Sequence, residues 1–593
     1  MAQIVVMGGG LNGLTAGMLL ARDGHQVTVL ERDAAGPRGR AGDLWQRWDR
    51  RGVNQFRQLH YMLPRWRAEM ERELPEVVSG LEDLGGVRTS MLGALPDEMT
   101  GGKRDGDERF ETVTGRRPVL EAAVAHAARR TDGLTVCRGV AVTGLVTGHE
   151  SMAGVPHVTG VTVGGATVVH ADLVVDATGR RSPVSGMLTA VGARRPDEEK
   201  EDCGFVYYAR HFRSADGSCP PASERLLQHF EGVSILTLPC DSGTWGVAFV
   251  TSARDKELRA LRAVPAWEAA LSLFPSVAHW GDAQPITGVQ VIAAIEDRHR
   301  RHVVDGEPVV TGLAALGDAW ACTNPSLGRG ASIGLLHACT LRDLLREVGP
   351  GEPERLARRF DEITQTTVGP FYRATLEFDR HRLAEINAEI AGQAYEPGDP
   401  AWDFGKAQYA AAACRPGRAA RLHLGGGADR DAGRRAGRAG HAGQGDLGRL
   451  GGAPVLRPRP GPGRTPRRPR PLAPPAAASR AAHAGDGGGA GRQPFGPDRL
   501  PAPVAHPVPA LGQPPQRVVQ CRHLFPRRLE QGGGVLALER ERRALRVMLV
   551  VGPGRAGRLG QPGEHPPPRG HPLPRAGPLG QQEVPLWLHA PNL

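Results

Sequence analysis

The feature that most constrains the fold is a glycine-rich loop near the amino terminus, in the segment I-V-V-M-G-G-G-L-N-G-L-T-A-G. An apolar strand pattern over Gln3–Met7 precedes the loop, a helical pattern follows to residue 22, and a second strand pattern covers residues 26–30. The loop contains G-x-G-x-x-G as Gly8, Gly10 and Gly13, and Glu31 stands 18 residues after the last glycine. This order predicts a Rossmann-like βαβ unit that binds a dinucleotide.

Each position of the loop has a chemical role in such a unit. The first glycine allows a tight turn, the second lets a pyrophosphate approach the backbone, and the third lets the helix pack closely on the strand. The amino terminus of the helix offers free N–H groups to the phosphates, and Glu31 can accept hydrogen bonds from a ribose diol. The alternative interpretation is a glycine-rich turn of another α/β protein.

Two later segments favour FAD over NAD. Residues 172–183 read D-L-V-V-D-A-T-G-R-R-S-P, an apolar strand that ends in an acid before a turn of small residues. Residues 317–334 read G-D-A-W-A-C-T-N-P-S-L-G-R-G-A-S-I-G, where an acid follows a strand and a loop leads into a helix. An acid at a strand end suits the ribityl hydroxyls, and a helix amino terminus suits the negative charge that develops on a reduced flavin.

With these three segments the chain resembles the group-A FAD-dependent monooxygenase superfamily over about residues 1–400, including p-hydroxybenzoate-hydroxylase-like enzymes, epoxidases and geranylgeranyl-reductase-like proteins. The resemblance implies an α/β fold with a Rossmann-like FAD-binding domain, an inserted antiparallel β-sheet substrate domain and a helical segment after it. It also implies a set of cofactor-binding residues: Gly8, Gly10, Gly13 and Glu31 for the ADP moiety, Arg32 as a further cofactor-binding residue, Asp318 for the ribityl chain, Arg117 beside the cofactor, and Pro325, Gly328, Gly330 and Ala331 along the isoalloxazine. The segment G-V-N-Q-F-R-Q-L-H-Y-M-L resembles an epoxidase-type segment, which suggests Arg57 and His60 as further residues near the flavin. Their alternative interpretation is an exposed arginine and a hydrogen-bonded structural histidine.

The resemblance implies a monooxygenase that inserts one oxygen atom from O₂ into a small hydrophobic or aromatic substrate, or an alkene, by way of a flavin C4a-hydroperoxide. The alternative enzyme is a FAD-dependent reductase or dehydrogenase of isoprenoid or polyketide double bonds. NAD(P)H is the expected electron donor, either directly or through a separate flavin reductase. Ala177-Thr178-Gly179 stands where NADPH-binding relatives carry Asp-Gly, which favours the separate reductase. The W-x-W-x-I-P segment of flavin halogenases is missing, which disfavours halogenation. No catalytic acid or base and no metal site can be assigned from the sequence.

The expected domains are an FAD-binding region in two parts (1–183 and 303–350), an antiparallel-sheet substrate domain (184–302), a helical segment (351–410) and a tail (411–593). The formal net charge of +11 comes from the tail, which has 29 arginines against 10 acids. The tail contains no Ile, Lys or Tyr and is rich in Arg, Gly, Ala and Pro. A disordered basic segment and a nucleic-acid-binding arm are two interpretations of it. The abrupt change of composition favours a third, a frameshifted gene, in which case the product could be an inactive flavoprotein fold.

The rest of the chain is mildly acidic, so we expect no nucleic-acid partner. The eight cysteines form no C-x-x-C pair, and no apolar run is long enough for a membrane span. These features, with the absence of a signal-peptide pattern, predict a cytoplasmic protein.

Overall fold

The computed structural model describes residues 1–403 and 406, except residues 93, 94, 96, 223 and 224. The predicted tail at 411–593 lies outside the described residues, and so do most of residues 404–410. The described part is a mixed α/β structure with several sheets, as the sequence predicts. None of its helices combines the length and the apolar character needed to cross a bilayer.

A five-stranded parallel sheet carries the glycine loop. Its strand order is β20-β9-β1-β2-β5, with β1 in the centre. β1 and β2 read as apolar runs because both faces of a parallel sheet are covered. Helices α1, α6 and α9 supply apolar side chains to the core cluster on one side of this sheet, and a three-stranded antiparallel sheet, β6-β7-β8, contributes to the cluster on the other. The carboxyl ends of β1, β9 and β20 lie side by side, so the three predicted flavin segments follow neighbouring strands.

The second large sheet is antiparallel, and all of its strands lie within residues 184–302. Its strand order is β12-β13-β14-β11-β15, and β16 also pairs with β11. Because side chains alternate between faces with a period of two, Tyr208 and Phe249 pack with Trp267 of α8 on one face. Tyr207 and Ala248 belong to the cluster on the opposite face.

A third sheet, β10-β17-β21, joins these two regions through residues far apart in the chain. After it come α9, α10 and α11. In the predicted helical segment (351–410), α10 and α11 are separate helices because Gly369-Pro370 interrupts the helical pattern: a proline cannot donate the backbone hydrogen bond that a continuous helix needs.

The bounds of the elements are as follows. The helices are α1 Leu11–Arg22, α2 Ala41–Arg47, α3 Pro64–Glu73, α4 Pro75–Asp83, α5 Asp97–Thr100, α6 Arg117–Ala128, α7 Val184–Ala190, α8 Val264–Leu271, α9 Gly330–Glu347, α10 Pro353–Thr367 and α11 Gly369–Ile390. The strands are β1 Gln3–Met7, β2 Gln26–Glu31, β3 Val87–Ser90, β4 Glu111–Thr114, β5 Leu134–Arg138, β6 Val142–Thr147, β7 Val158–Val163, β8 Thr167–His170, β9 Leu173–Asp176, β10 Asp197–Asp202, β11 Phe205–Arg213, β12 Leu227–His229, β13 Val233–Pro239, β14 Thr244–Ser252, β15 Gln284–Pro285, β16 Gln290–Ile292, β17 Glu296–Arg301, β18 Val303–Val304, β19 Glu307–Pro308, β20 Leu313–Ala315 and β21 Ala321–Cys322.

Candidate functional site

The glycine loop packs against its own helix and against the turn after β9. Gly8 has a φ of +101°, and its amide donates a hydrogen bond of 2.8 Å to the carbonyl of Leu30. A methyl group on Gly8 would lie 2.6 Å from the carbonyl oxygen of Ala177, and one on Gly13 would lie 1.9 Å from the carbonyl oxygen of Gly8. Both distances are too short for a β-carbon, so the fold itself requires glycine at these two positions.

Gly10 is in a different situation. It is the residue that precedes the first turn of α1, and the atom nearest to a methyl group there is Nη1 of Arg50, at 4.0 Å. The first turn of α1 has no acidic side chain, and no side chain caps its backbone N–H groups. An uncapped helix amino terminus is a binding site for phosphate groups, so the structure leaves room for a pyrophosphate over Gly10.

Glu31 lies at the end of β2 and is buried among other charged side chains. One carboxylate oxygen accepts hydrogen bonds from the amide of Gly9 at 2.7 Å and from Nη2 of Arg50 at 2.5 Å, and the other accepts one from the amide of Asp33 at 2.8 Å. Arg50 is also buried and contacts Asp33 and Glu121. Since a carboxylate has about four lone-pair positions, Glu31 keeps capacity for a ribose hydroxyl.

Arg117 begins α6 and connects this cluster with His60. Its Nε donates to Glu121 at 2.7 Å, and its Nη1 lies 3.4 Å from Nε2 of His60. Burial raises the pKa of Glu121, but the charges of Arg50 and Arg117 outweigh that effect and leave the pKa below its usual range. Burial and the charge of Arg117 lower the pKa of His60 to about 3, so its imidazole is neutral at pH 7.

The two other predicted basic residues lie in different places. Arg32 lines the cavity described below and lies against Gly52, where a methyl group would be 2.2 Å from its Nη2. Arg57 is not among the lining residues. Its guanidinium lies over the rings of Trp45 and Phe56, and its Nη2 donates to the carbonyl of Trp48 at 2.5 Å. The structure therefore places Arg57 behind the wall of the site.

In the second segment, the acid at the strand end shapes the turn that follows it. Asp176 is buried and accepts hydrogen bonds from the amide and hydroxyl of Thr178, at 3.0 and 2.6 Å, and from the hydroxyl of Ser182 at 2.5 Å. Burial raises the pKa of Asp176. The turn presents Arg180 and Arg181 to the cavity, which adds positive charge beside the glycine loop.

The third segment is held against the first by Asn12, which lies between the second and third glycines of the loop. A methyl group on Gly317 would be 2.1 Å from the Asn12 side chain, and one on Gly334 would be 2.2 Å from it. Next to Gly317, the half-buried Asp318 lines the cavity, and burial raises the pKa of its carboxyl group. Beyond it, Gly328 has a φ of +66°, which permits the turn that leads into α9.

One cavity of about 1660 Å³ joins these groups to the antiparallel sheet. Except for Gly13 and Arg57, every predicted site residue lines it: Gly8, Gly10, Glu31, Arg32, His60, Arg117, Asp318, Pro325, Gly328, Gly330 and Ala331. Its floor on the sheet includes Tyr207 and the paired residues Ala209 and Ala248. Leu59 fills the place beside them over Gly246, where a β-carbon would be 2.5 Å from its side chain.

Part of the cavity wall is formed by α11 and the segment after it. His381 forms hydrogen bonds through its two ring nitrogens, Nδ1 with the hydroxyl of Tyr395 at 2.7 Å and Nε2 with the carboxylate of Asp399 at 3.1 Å. Its ring stacks on Trp402. All four residues line the cavity. These contacts attach residues 395–402 to α11.

The residues present fit FAD. Gly10 leaves space over an uncapped helix end for the pyrophosphate, Glu31 keeps one acceptor position for the adenosine ribose, and Asp318 can accept a hydrogen bond from a ribityl hydroxyl. A single small-molecule site typically occupies about 300–1,000 Å³, so the cavity has room for a flavin and a second molecule. Within the described residues, no group of three or more His, Cys, Asp or Glu side chains is arranged to hold a metal ion.

Sequence reasoning missed several residues of this site. Arg50 contacts Glu31 and Glu121, which are 19 and 71 residues away, so a single sequence holds no signal for it. Tyr207 and Asn324 were missed for the same reason. Asn12 occupies a variable position of the G-x-G-x-x-G fingerprint, on the helix face toward the third segment. A polar side chain at that position is a signal from which sequence reasoning could have identified it.

Comparison with known proteins supports the cofactor assignment. Residues 3–104 match the family model described as FAD dependent oxidoreductase. The chain is 28% identical over 397 residues to Protein Rv3254 of Mycobacterium tuberculosis, a match that covers 62% of this chain and 78% of that protein. Solved structures with a similar fold include the flavin-dependent halogenase CmlS (17% identity, 67% of this chain and 66% of that chain, TM-score 0.45). Another is 2-methyl-3-hydroxypyridine-5-carboxylic acid oxygenase (16% identity, 65% and 93%, TM-score 0.44). The matched residues include the glycine loop, β2 and Arg50, and the match supports an FAD-dependent oxidoreductase.

Proposed function

We propose that this oxidoreductase is a monooxygenase that inserts one oxygen atom from O₂ into a small aromatic or alkene substrate. The observation that supports the proposal is the continuity of the cavity from the glycine loop to the apolar face of the antiparallel sheet. A substrate on this floor would share one continuous space with the flavin. Bound FAD, once reduced, would supply the activation of O₂.

The wall of the substrate compartment suits chemistry that water would interrupt. Tyr207, Ala209 and Ala248 are at least nine-tenths buried, and the neighbouring Leu236 and Leu238 of β13 also line the cavity. A compartment with few polar groups holds an apolar ring or alkene and excludes water from it. The paired alanines leave the most space on the floor, so we expect the substrate to rest there.

Residues at the glycine-loop end would bind and orient the cofactor. The first turn of α1 and the guanidinium groups of Arg32, Arg180 and Arg181 provide positive charge for the pyrophosphate. His60 lines the cavity with a neutral ring, which can donate or accept one hydrogen bond but carries no charge at pH 7. It is therefore a candidate for orienting a polar group of the substrate or the flavin.

NAD(P)H is the proposed source of electrons, delivered by a separate flavin reductase. The turn Ala177-Thr178-Gly179 supports this part of the proposal, since it packs on the glycine loop and lacks the acid that accompanies NADPH use in the resembling hydroxylases. All cysteines among the described residues are free thiols, which supports a reducing compartment such as the cytoplasm.

The proposal is tested with the full chain loaded with FAD. The flavin is reduced with dithionite without oxygen and then mixed with O₂ in a stopped-flow spectrometer. We expect a transient absorbance spectrum that appears before the spectrum of the oxidised flavin returns. We also expect a lower yield of hydrogen peroxide when small aromatic or alkene compounds are present and become hydroxylated or epoxidised. A reductase would give the opposite pattern: an alkene would reoxidise the reduced flavin without oxygen, and that result would refute a monooxygenase.

A further inference from the structure

Asn324 stands directly before the loop that is proposed to lie along the flavin, and three different elements hold it. Its backbone N–H donates a hydrogen bond to the carboxylate of Asp297 on β17 at 2.6 Å. Its side-chain nitrogen donates to the carboxylate of Asp379 on α11 at 3.0 Å, and its side-chain oxygen accepts a hydrogen bond of 2.5 Å from the hydroxyl of Tyr207 on β11. Only 2% of Asn324 is exposed, and Asp297 and Asp379 are also buried. The start of the loop is therefore fixed by side chains rather than by the loop itself.

The partners of Asn324 also fix which way its amide points. Asp379 is an acceptor, so it requires the NH₂ group, and the Tyr207 hydroxyl then donates to the oxygen. Pro325 restricts Asn324 to an extended backbone, and its φ of −51° and ψ of 134° agree with that restriction. Because both the backbone and the side chain of Asn324 are constrained, a change at Tyr207 must alter the position of residue 325.

Tyr207 is the member of this group that reaches the proposed substrate compartment. It lines the cavity beside Ala209, whereas the next residue, Tyr208, points to the opposite face and packs with Trp267. Tyr207 therefore has its ring in the wall of the substrate compartment and its hydroxyl on the residue that begins the flavin loop.

We propose that Tyr207 is a positioning residue: through Asn324, its hydroxyl holds residues 325–332 in the setting that places the amino terminus of α9 against the flavin. The inference rests on the proposed function in one respect, that FAD occupies the cavity. A helix amino terminus stabilises negative charge, and reduced flavin is the more negative form. The Tyr207 hydrogen bond thus favours the binding of reduced FAD over oxidised FAD.

The test compares Tyr207→Phe with Tyr208→Phe in the full-length holoprotein. Tyr207→Phe keeps the ring in the cavity wall and removes only the hydroxyl. We expect the dissociation constant of FAD, measured by flavin fluorescence, to rise about fivefold, as the loss of one buried hydrogen bond implies. The flavin midpoint potential should become more negative and the visible flavin bands should shift. Tyr208→Phe removes a hydroxyl from the other face, so its holoprotein should match the wild type in all three measurements.

A reciprocal exchange separates positioning from a general loss of stability. Asn324→Asp places a second carboxylate against Asp379 and should weaken FAD binding by more than tenfold. Adding Asp379→Asn returns an amide to the contact, with donor and acceptor exchanged, and should recover most of the affinity and the wild-type potential. The inference is overturned if Tyr207→Phe keeps the wild-type affinity and potential, if Tyr208→Phe shifts them equally, or if the double variant is no better than Asn324→Asp. A wild-type chain that takes up no FAD would instead overturn the proposed function.

Discussion

Replacing Gly10 with alanine should separate the binding of FAD from the stability of the fold. The nearest atom to the new methyl group is 4.0 Å away, which is ordinary van der Waals contact, and the φ of −85° suits any residue. Alanine is a poorer residue than glycine at the start of a helix, by roughly 0.5–1 kcal/mol. It also restricts the unfolded chain, which stabilises the native state by about 0.4–1 kcal/mol. These two effects nearly cancel, so the free energy of unfolding of the apoprotein should change by less than about 1 kcal/mol.

The same methyl group should block the cofactor, because it projects from the position where the pyrophosphate must approach the backbone. We expect the FAD dissociation constant to rise at least about tenfold, which corresponds to roughly 1.4 kcal/mol of binding free energy. Flavin fluorescence titration measures the affinity, and denaturant unfolding of the apoprotein measures the stability. Gly13→Ala is the matched control. Its methyl group would lie 1.9 Å from the Gly8 carbonyl oxygen, so it should destabilise the apoprotein strongly. Wild-type FAD affinity in Gly10→Ala, or equal destabilisation by both substitutions, would refute this account of the loop.

Three further predictions concern other parts of the structure. Asp241→Ala should lower the free energy of unfolding by roughly 3–5 kcal/mol, because it leaves the fully buried Arg116 guanidinium without its carboxylate; in denaturant titrations Glu362→Ala, which removes an exposed ion pair with Arg359 on α10, should cost less than about 1 kcal/mol, and equal losses would contradict the reasoning. Burial lowers the pKa of His337 to about 3, so below pH 6.5 the unfolded chain binds a proton that the native ring does not, and this residue alone should lower the stability by about 2 kcal/mol between pH 7 and pH 5. A His337→Gln variant with an unchanged pH profile would be inconsistent with that assignment. Ala248→Leu should fill the floor of the substrate compartment, leaving FAD affinity unchanged while oxygenation of small aromatic compounds falls more than about tenfold; a loss of FAD affinity would show that the floor and the cofactor site are not separate.

The sequence predicts the parts of the structure that local patterns encode. β1 has the predicted bounds, and β2 extends one residue beyond the predicted 26–30, because an apolar strand next to a turn is visible in a short window of sequence. The apolar run at residues 309–316 forms the strand β20 only over Leu313–Ala315, since Gly312 has a φ of +73° and bends the chain before it. Contacts between distant residues are invisible to such patterns. Arg50 and the Tyr207–Asn324 pair illustrate this limit, because their partners become neighbours only when the sheets assemble.

The packing of Gly8 on Ala177 and of Asn12 on Gly317 and Gly334 has a consequence for the synthesis of the protein. The first part of the cofactor site leaves the ribosome early, but its walls are encoded more than 150 residues later. The loop cannot reach its final shape until Gly334 has emerged, so a growing chain has no complete place for FAD during most of its translation. FAD bound afterwards stabilises only the finished fold, in proportion to its free concentration over its dissociation constant. The supply of flavin in the cell should therefore set how much newly made protein survives, and cells starved of riboflavin should accumulate less of this chain without any change in its messenger RNA.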